Sequence, residues 1–152
     1  MNEAAVSGVP EPTQDERSMA VLAHALQMVG GWIAPLIIFI MKRNSRFVSF
    51  HALQALLLQV AYFFVSMFLA MIWVVLIFSQ VFAHTDKHPS DFPVAFFILL
   101  PIVWLWFMAC WVGILVIVIL YSIKAGRGEW AEYPLIGGLA RKMLGIGPNG
   151  SV

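Results

Sequence analysis

Uncharged residues fill three long stretches of the chain, and charged residues occur only between and beyond these stretches. The stretches run over residues 18–41, 47–85 and 92–123 and are 24, 39 and 32 residues long. A helix needs about 20 apolar residues to cross the roughly 30 Å hydrocarbon core of a bilayer. Each stretch is therefore long enough for one crossing, and the pattern predicts an all-α integral membrane protein with three transmembrane helices.

The second stretch is long enough to raise the question of two spans. Two spans need a turn between them, but residues 47–88 contain neither Gly nor Pro. We therefore predict one helix over about 47–83, which is about 55 Å long at 1.5 Å per residue. Its membrane-spanning part is expected at about 55–82, with the first turns projecting into the headgroups.

The first and third stretches predict spans at about 18–41 and 95–123. The first contains Gly30, Gly31 and Pro35. Glycine weakens a helix, and proline removes a backbone donor from it. A kink near the middle of the first span is the expected result.

The amino-acid composition also indicates a membrane protein. Hydrophobic residues make up 61% of the 152 residues and charged residues 11%, whereas an ordinary soluble domain has roughly 25% charged residues. So few charges cannot cover a soluble core of this apolarity, and the predicted partner of the surface is the lipid bilayer. The net charge of +1 gives no indication of nucleic acid as a partner. The single cysteine, Cys110, excludes an intrachain disulfide.

Lysine and arginine predict the orientation, because loops rich in these residues stay in the cytoplasm. With three spans, the first loop and the C-terminal segment share one side, which carries seven of the nine Lys and Arg residues. Only Arg17 and Lys87 lie on the other side. The N-terminus is therefore predicted outside and the C-terminus in the cytoplasm.

Both ends of the chain are predicted to lie outside a membrane domain of residues 17–144. Residues 1–16 are acidic and contain no Lys or Arg, which indicates a disordered tail rather than a signal peptide. Residues 145–152 are also expected to be disordered. Before them, apolar residues at helical spacing beside two basic residues predict a short amphipathic helix on the inner leaflet, or else a frayed tail. These residues are Leu135, Ile136, Leu139, Arg141, Lys142 and Met143.

Two blocks of the sequence resemble a known family. One lies within residues 35–56 and includes the run FVSFHALQAL, and the other lies within 124–135 and includes KAGRGE followed by YPL. Over roughly residues 20–140, the chain resembles a bacterial domain-of-unknown-function family of small membrane proteins. That family is called Tic-twenty-like, after a plastid inner-envelope import component, and a group of magnetosome membrane proteins also looks related. The resemblance implies a three-span fold in the bacterial inner membrane and supplies no established activity.

Two identical tetrapeptides, His24–Gln27 and His51–Gln54, each place a histidine and a glutamine on one helix face. Polar side chains within a span usually face the bundle and form hydrogen bonds across helices. Counting 1.5 Å per residue from the nearest charges places His24 near the outer boundary and His51 near the inner one. A wide apolar gap is therefore predicted between the two pairs. This gap argues against a direct proton relay and favours separate structural hydrogen bonds.

A structural clasp is predicted around His51 and Gln54, which lie in the first block of the resemblance. A buried imidazole or amide without a partner costs roughly 1–3 kcal/mol, so each side chain should have one. The available polar groups are at the end of the first span and in the turn at 124–134, which includes Glu129 and Tyr133. We predict that this turn folds back onto the second helix and is held there by these side chains.

No catalytic, cofactor or metal site is predicted, and the chain is not expected to be an enzyme. Residues 84–91 contain two His and two Asp, a donor set that suggests a metal. Their spacing is not distinctive and Lys87 lies among them, so a solvated loop is the favoured interpretation. No HExxH motif, Gly-rich phosphate loop or Ser–His–acid set occurs. The predicted spans also contain no Asp, Glu, Lys or Arg, which ion-coupled carriers usually need.

Two functions remain open at this point. The favoured one is a structural or assembly role, in which the helices contact other membrane proteins or further copies of the chain. The alternative, suggested by the plastid resemblance, is a component of a membrane pore or a protein-translocation assembly. Polar residues such as Gln59 and Ser66 would line such a path only in an oligomer, because three spans cannot enclose one.

Overall fold

A computed structural model describes residues 10–83, 94–147 and 151 of the chain. All regular secondary structure in these ranges is helical, in agreement with the all-α prediction. Six helices follow one another along this part of the chain: α1 (Gln14–Ala25), α2 (Gln27–Gly30), α3 (Ile33–Met41), α4 (Arg46–Ala83), α5 (Val94–Gly126) and α6 (Ile136–Leu144).

Two of these helices, α4 and α5, are long and apolar enough to cross a membrane. The candidate spans are Arg46–Gln80 and Phe97–Gly126, with mean hydropathies of 2.6 and 2.7. Their most apolar windows are only 0% and 6% buried, so neither is the enclosed core helix of a soluble protein. The prediction that residues 47–83 form one uninterrupted helix is confirmed by the bounds of α4.

The first uncharged stretch folds into a hairpin. A single-turn helix, α2, follows α1, and the chain then reverses at Gly31, which has φ 55° and ψ −137°, before α3 begins. At the two ends of this segment, Asp15 Oδ2 and Lys42 Nζ lie 2.8 Å apart. In a straight helix, atoms 27 positions apart along the chain would be separated by about 40 Å. The structure therefore does not contain the continuous helix predicted over 18–41, and we refer to residues 14–41 as the N-terminal hairpin.

Glycine, rather than proline, breaks this segment. The kink predicted near the middle of the first span is a full reversal in the structure, and Pro35 does not cause it, because Pro35 is the third residue of α3. Its missing N–H would have no acceptor within the first turn of a helix. The reversal comes at Gly31 instead, because its combination of positive φ and strongly negative ψ is one that only glycine adopts easily.

A capping box starts the N-terminal hairpin. The Thr13 hydroxyl accepts a hydrogen bond from the Glu16 N–H at 3.3 Å, and Glu16 Oε2 accepts one from the Thr13 N–H at 2.8 Å. The Ser45 hydroxyl donates to Glu16 Oε1 at 2.6 Å, and this hydrogen bond lowers the pKa of the Glu16 carboxyl group. The tail predicted as disordered over 1–16 is therefore ordered from Thr13 onward. Its first nine residues lie outside the described ones.

The described residues form two compact units. The first comprises those within Met1–Ala61 and Leu115–Val152, and the second is Tyr62–Ile114. In the first unit, three apolar clusters pack the N-terminal hairpin, the end of α5 and α6 against the beginning of α4. Alanine is frequent among their buried residues, and small side chains let helices approach closely. The buried members are Ala20, Ala23, Ile38, Phe47, Val48, Phe50, Ala52, Leu53, Ala125, Ala140 and Ile146.

The C-terminal segment folds further than predicted. Helix α6 ends at Gly145, which has φ 62° in the left-handed region, a common helix terminus. Ile146 is buried next to Phe50 and Leu53. The disordered tail predicted over 145–152 is therefore wrong at its beginning, whereas residues 148–150 and 152 lie outside the described ones.

Among the described residues, the second unit consists of the last part of α4, from Tyr62 onward, and the first part of α5, up to Ile114. Most of its large apolar side chains are exposed, as a lipid-facing surface requires. Six side chains from both helices line an open groove that offers only van der Waals contact. These are Leu69, Trp73, Ile102, Val103, Trp106 and Phe107.

Two adjacent glycines of α6 are expected to respond differently to alanine. A Cβ atom on Gly137 would overlap Glu132 Cβ and lie 2.9 Å from Glu132 Cα, whereas one on Gly138 would meet nothing within 4 Å. Gly137→Ala should therefore destabilise the first unit by about 1–3 kcal/mol through overpacking. Gly138→Ala should leave stability unchanged or raise it by up to about 1 kcal/mol. Melting temperatures in detergent distinguish the variants, and equal effects would contradict the packing described for Gly137.

Candidate functional site

Five polar side chains converge inside the first unit, and we name them the polar cluster: His24, Gln27, His51, Gln54 and Tyr133. All five are at most 2% exposed. They come from three parts of the chain: the N-terminal hairpin, the second turn of α4, and the segment between α5 and α6. Burial of so many polar groups in one place requires that they bond to one another.

Two histidines and a tyrosine form a continuous chain of hydrogen bonds. The Tyr133 hydroxyl lies 2.8 Å from His24 Nδ1. His24 Nε2 lies 3.0 Å from His51 Nδ1, and His51 Nε2 lies 3.1 Å from the carbonyl oxygen of Glu129. The rings of His24 and His51 meet edge to face at 5.2 Å between centroids. The chain therefore runs from the Tyr133 hydroxyl to the backbone of the α5–α6 segment.

The carbonyl oxygen of Glu129, the last acceptor, fixes the donor and acceptor of every hydrogen bond from Tyr133 to His51. A carbonyl oxygen only accepts, so His51 Nε2 carries the proton and donates to Glu129. No carboxylate among the described residues contacts either imidazole, and a buried imidazolium without one is costly. A neutral His51 then accepts at Nδ1 from His24 Nε2–H, and a neutral His24 accepts at Nδ1 from the Tyr133 O–H. Burial raises the pKa of the Tyr133 hydroxyl, which keeps this donor protonated.

Gln27 lies at the other end of the hydrogen-bond chain, next to Tyr133, and only part of its amide group has a partner. Its Nε2 donates to the Tyr133 oxygen at 3.5 Å, a long hydrogen bond. Its Oε1 atom is buried and has no hydrogen-bond partner. Because the single hydroxyl proton of Tyr133 points to His24, exchanging the amide oxygen and nitrogen would not give Oε1 a donor. Gln27 is therefore the weakest member of the polar cluster.

Gln54 joins α4 to the segment after α5 by two hydrogen bonds. Its Nε2 donates to the Ala131 carbonyl oxygen at 3.2 Å, and its Oε1 accepts from the Tyr133 N–H at 2.6 Å. The structure thus brings His51 and Gln54 next to Tyr133 and the backbone of Glu129. The Glu129 side chain does not take part, because its Oε1 lies 3.9 Å from Arg127 Nη1. The anchoring role of these contacts remains a prediction that variants must test.

The apolar gap predicted between His24 and His51 is wrong, because the two rings are in direct contact. That prediction assumed that the first uncharged stretch was one straight span. The N-terminal hairpin instead returns the chain toward its starting side and lays the last turn of α1 along the start of α4. Ala23 lies in one apolar cluster with Val48, and Ala20 lies in another with Phe47, so these clusters hold the two segments together.

Further contacts surround the polar cluster, and no sequence pattern predicts them. Gln59 Nε2 donates to the backbone oxygen of Gln27 at 3.1 Å, where the chain leaves α1. The Tyr121 ring packs edge to face on the Tyr133 ring at 4.3 Å, and its hydroxyl donates to the Glu132 carbonyl oxygen at 2.6 Å. The Thr-x-x-Glu pattern of the capping box was the one local signal that α1 begins before residue 17.

The polar cluster satisfies nearly all of its own hydrogen bonds. Its donors and acceptors bond one another or the backbone, with Gln27 Oε1 as the exception. Among the residues that the structure describes, no group of three or more His, Cys, Asp or Glu side chains is arranged to hold a metal ion. The loop of residues 84–91, with its two His and two Asp, lies outside them.

A comparison with protein families gives one match. The profile of the MamF/MmsF family, described as the magnetosome magnetite crystal formation protein family, matches residues 15–140. No curated protein and no solved structure matches the chain. The resemblance to the Tic-twenty-like family is therefore wrong, because the family that matches nearly the whole ordered chain is the magnetosome one. The pore or translocation alternative rested on that resemblance and loses its support.

Proposed function

Because the chain belongs to the magnetosome magnetite crystal formation protein family, we propose that it is a non-catalytic structural protein of the magnetosome membrane. Its family is one of membrane proteins involved in magnetosome crystal formation. The observation that carries the structural role is that the polar cluster is closed, since its groups bond one another inside the first unit. The surface left for interaction is the exposed apolar side of α4 and α5, which suits lipid and other membrane helices.

We further propose two membrane spans, α4 and α5, with both termini in the cytoplasm. The ion pair between Asp15 and Lys42 supports this topology, since it places both ends of the N-terminal hairpin on one side. The distribution of positive charge also supports it. With three spans, seven of the nine Lys and Arg residues face the cytoplasm, whereas with two spans Arg17 joins them and only Lys87 remains outside.

The two topologies differ in the position of the N-terminus. A reporter that is active only in the cytoplasm, fused to either terminus, is expected to be active in both fusions. The same reporter inserted after Lys87 should be silent and serves as the control. An N-terminal fusion that is silent beside an active C-terminal fusion would restore the three-span arrangement.

The structural role is tested by complementing a deletion of the gene in a magnetosome-forming bacterium. Trp106→Ala removes an exposed ring from the groove of the second unit and is expected to leave protein abundance normal but fail to restore magnetite crystals. Tyr133→Phe removes only a hydroxyl group from the polar cluster and should restore crystals wherever the protein accumulates. Loss of crystals with Tyr133→Phe at normal abundance would show that the cluster acts chemically, contrary to the proposal.

A further inference from the structure

The two arms of the N-terminal hairpin are too short to cross a bilayer. The first arm, formed by α1 and α2, ends at Gly30 and is at most about 25 Å long, and the second arm, α3, has nine residues and is about 14 Å long, at 1.5 Å per residue. The hydrocarbon core is about 30 Å thick, so neither arm crosses it and the second reaches about half of that distance. The ion pair of Asp15 and Lys42 holds the open ends of both arms together. An inserted hairpin of this kind therefore occupies one leaflet only.

The outer surface of the hairpin is apolar from its turn to its base. Val29 at the turn is 91% exposed, and Met41 at the base is 74% exposed. Trp32, Ile33, Ile37 and Ile40 are each at least 50% exposed between them. Residues 18–41 contain no Asp, Glu, Lys or Arg, and a continuous apolar surface of this kind is not left in water. The spanning helix α4 begins five residues after Met41, so the acyl chains that surround α4 are the occupant that fits this surface.

Two backbone groups next to the turn have hydrogen-bond partners within the protein. Irregular backbone is tolerated at membrane depth only where its polar groups are satisfied by protein. The Gly30 N–H donates to the Leu26 carbonyl oxygen at 2.7 Å. The carbonyl oxygen of Gln27, at the start of the single-turn helix α2, accepts a hydrogen bond from Gln59 Nε2 at 3.1 Å. The Gln59 side chain, on α4, thus supplies the hydrogen bond that water would give to this carbonyl oxygen in an exposed turn.

Helix α6 adds a second apolar surface to the same unit. Leu135 is 97% exposed, and Leu139 and Met143 follow at four-residue intervals with 48% and 60% exposure. Lys142 lies beside this stripe, and Ala140 on the opposite side is buried against the start of α4. An amphipathic helix with this pattern lies in the plane of a leaflet, and its binding depends on membrane curvature.

We propose that the N-terminal hairpin, assisted by α6, is a wedge inserted into one leaflet, which makes the protein favour membranes that are convex on the side of its termini. Volume inserted into one leaflet expands that leaflet without expanding the other, and a convex surface relieves the difference. The ligand is the acyl region of a single lipid leaflet. The side of the wedge rests on the two-span topology proposed above.

The test compares the orientation of the full-length protein in vesicles of two sizes. Protein with a different epitope tag at each terminus is reconstituted into small sonicated vesicles and into large extruded vesicles of the same phosphatidylethanolamine and phosphatidylglycerol mixture. External protease then measures which tags face outward. In small vesicles, whose outer leaflet is strongly convex, both tags should face outward in severalfold excess. In large vesicles the excess should fall toward an even distribution.

Two sets of substitutions assign the effect to the hairpin. Val29→Ser combined with Ile33→Ser and Ile37→Ser makes its exposed face polar and should abolish the dependence on vesicle size. The control, Val29→Ile with Ile33→Val and Ile37→Val, keeps the face apolar and should retain the dependence.

The outcomes separate the wedge from the topology. Equal outward fractions of the wild-type protein in both vesicle sizes, or an inward excess in small vesicles, would overturn the wedge whether or not the polar variant folds. Two tags of one protein that are cleaved from opposite sides would instead overturn the topology. A serine variant that inserts normally and keeps the size dependence would show that the hairpin is not its cause.

Discussion

Replacing His51 with leucine is expected to lower the free energy of unfolding by about 1–3 kcal/mol, because the buried Nε2–H of His24 loses its acceptor. The carbonyl oxygen of Glu129, in a partly exposed position, also loses its donor at a smaller cost. Unfolding in mixed detergent micelles measures the loss. Limited proteolysis should also show earlier cleavage after α5, since one of the contacts that hold this segment to α4 has gone.

Gln27→Met is the matched control for His51→Leu. Both exchanges replace a buried polar side chain with an apolar one, but Gln27 makes one long side-chain hydrogen bond and leaves its Oε1 atom unpaired. Its removal should therefore change stability by less than about 1 kcal/mol, since replacing an unsatisfied polar group by an apolar one of similar shape is nearly neutral. Equal losses in the two variants would contradict the hydrogen-bond direction derived for the polar cluster. A His51→Leu protein of unchanged stability that fails to restore crystals would give His51 a function of its own.

Gly31→Ala is expected to destabilise the N-terminal hairpin by about 1–3 kcal/mol, because alanine is strained at φ 55° and ψ −137°. The space around Gly31 is open, so the effect isolates backbone strain from crowding. Gly113→Ala, within α5 and equally uncrowded, is the control and should be neutral or stabilising. The melting temperature in detergent measures both.

A second measurement follows the hairpin itself. Cysteines introduced at Asp15 and Lys42 on a Cys110→Ser background should cross-link readily when Gly31 is present and less readily in Gly31→Ala. Efficient cross-linking in both proteins, together with equal melting temperatures, would show that the reversal does not depend on glycine at this position.

The two long helices could be predicted from the sequence because their determinants are local. Residues 47–88 contain no Gly or Pro, so nothing in that stretch interrupts α4. Helix α5 begins one residue before the predicted start of the third span. It ends at Gly126, three residues beyond the predicted end of that span. Uncharged length and the absence of helix breakers are sufficient for such elements, whatever packs around them.

The N-terminal hairpin could not be predicted by the same criteria. Residues 18–41 satisfy the length and polarity required of a transmembrane helix, and a straight span and a hairpin of this composition have the same hydropathy. Only Gly30, Gly31 and the capping box at Thr13 distinguish them, and glycine alone is also common within membrane helices. What decides the structure is packing of Ala20 and Ala23 on α4, a tertiary contact that sequence spacing does not show.

The residues of the candidate site were easier to predict than their contacts. His24, Gln27, His51 and Gln54 stand out because polar side chains are rare in apolar stretches. The partnership of His51 and Gln54 with the segment after α5 follows from the need to satisfy buried polar groups. The direct hydrogen bond between His24 and His51 depends on the N-terminal hairpin. Because residues 18–41 were predicted as one straight span, the two histidines were predicted at opposite membrane boundaries.

The hydrogen-bond chain also has a consequence for the order in which the protein folds. The bond between His24 and His51 joins residues 27 positions apart, whereas the bond between His24 and Tyr133 joins residues 109 positions apart. A chain under synthesis contains both histidines well before Tyr133, whereas α5 ends at Gly126, only seven residues before Tyr133. Until the segment after α5 has been made, His51 Nε2 lacks its acceptor on Glu129 and His24 Nδ1 lacks its donor on Tyr133. Closure of the cluster therefore requires a chain made at least as far as Tyr133, and a protein truncated before Glu129 is expected to keep both histidines without these two partners.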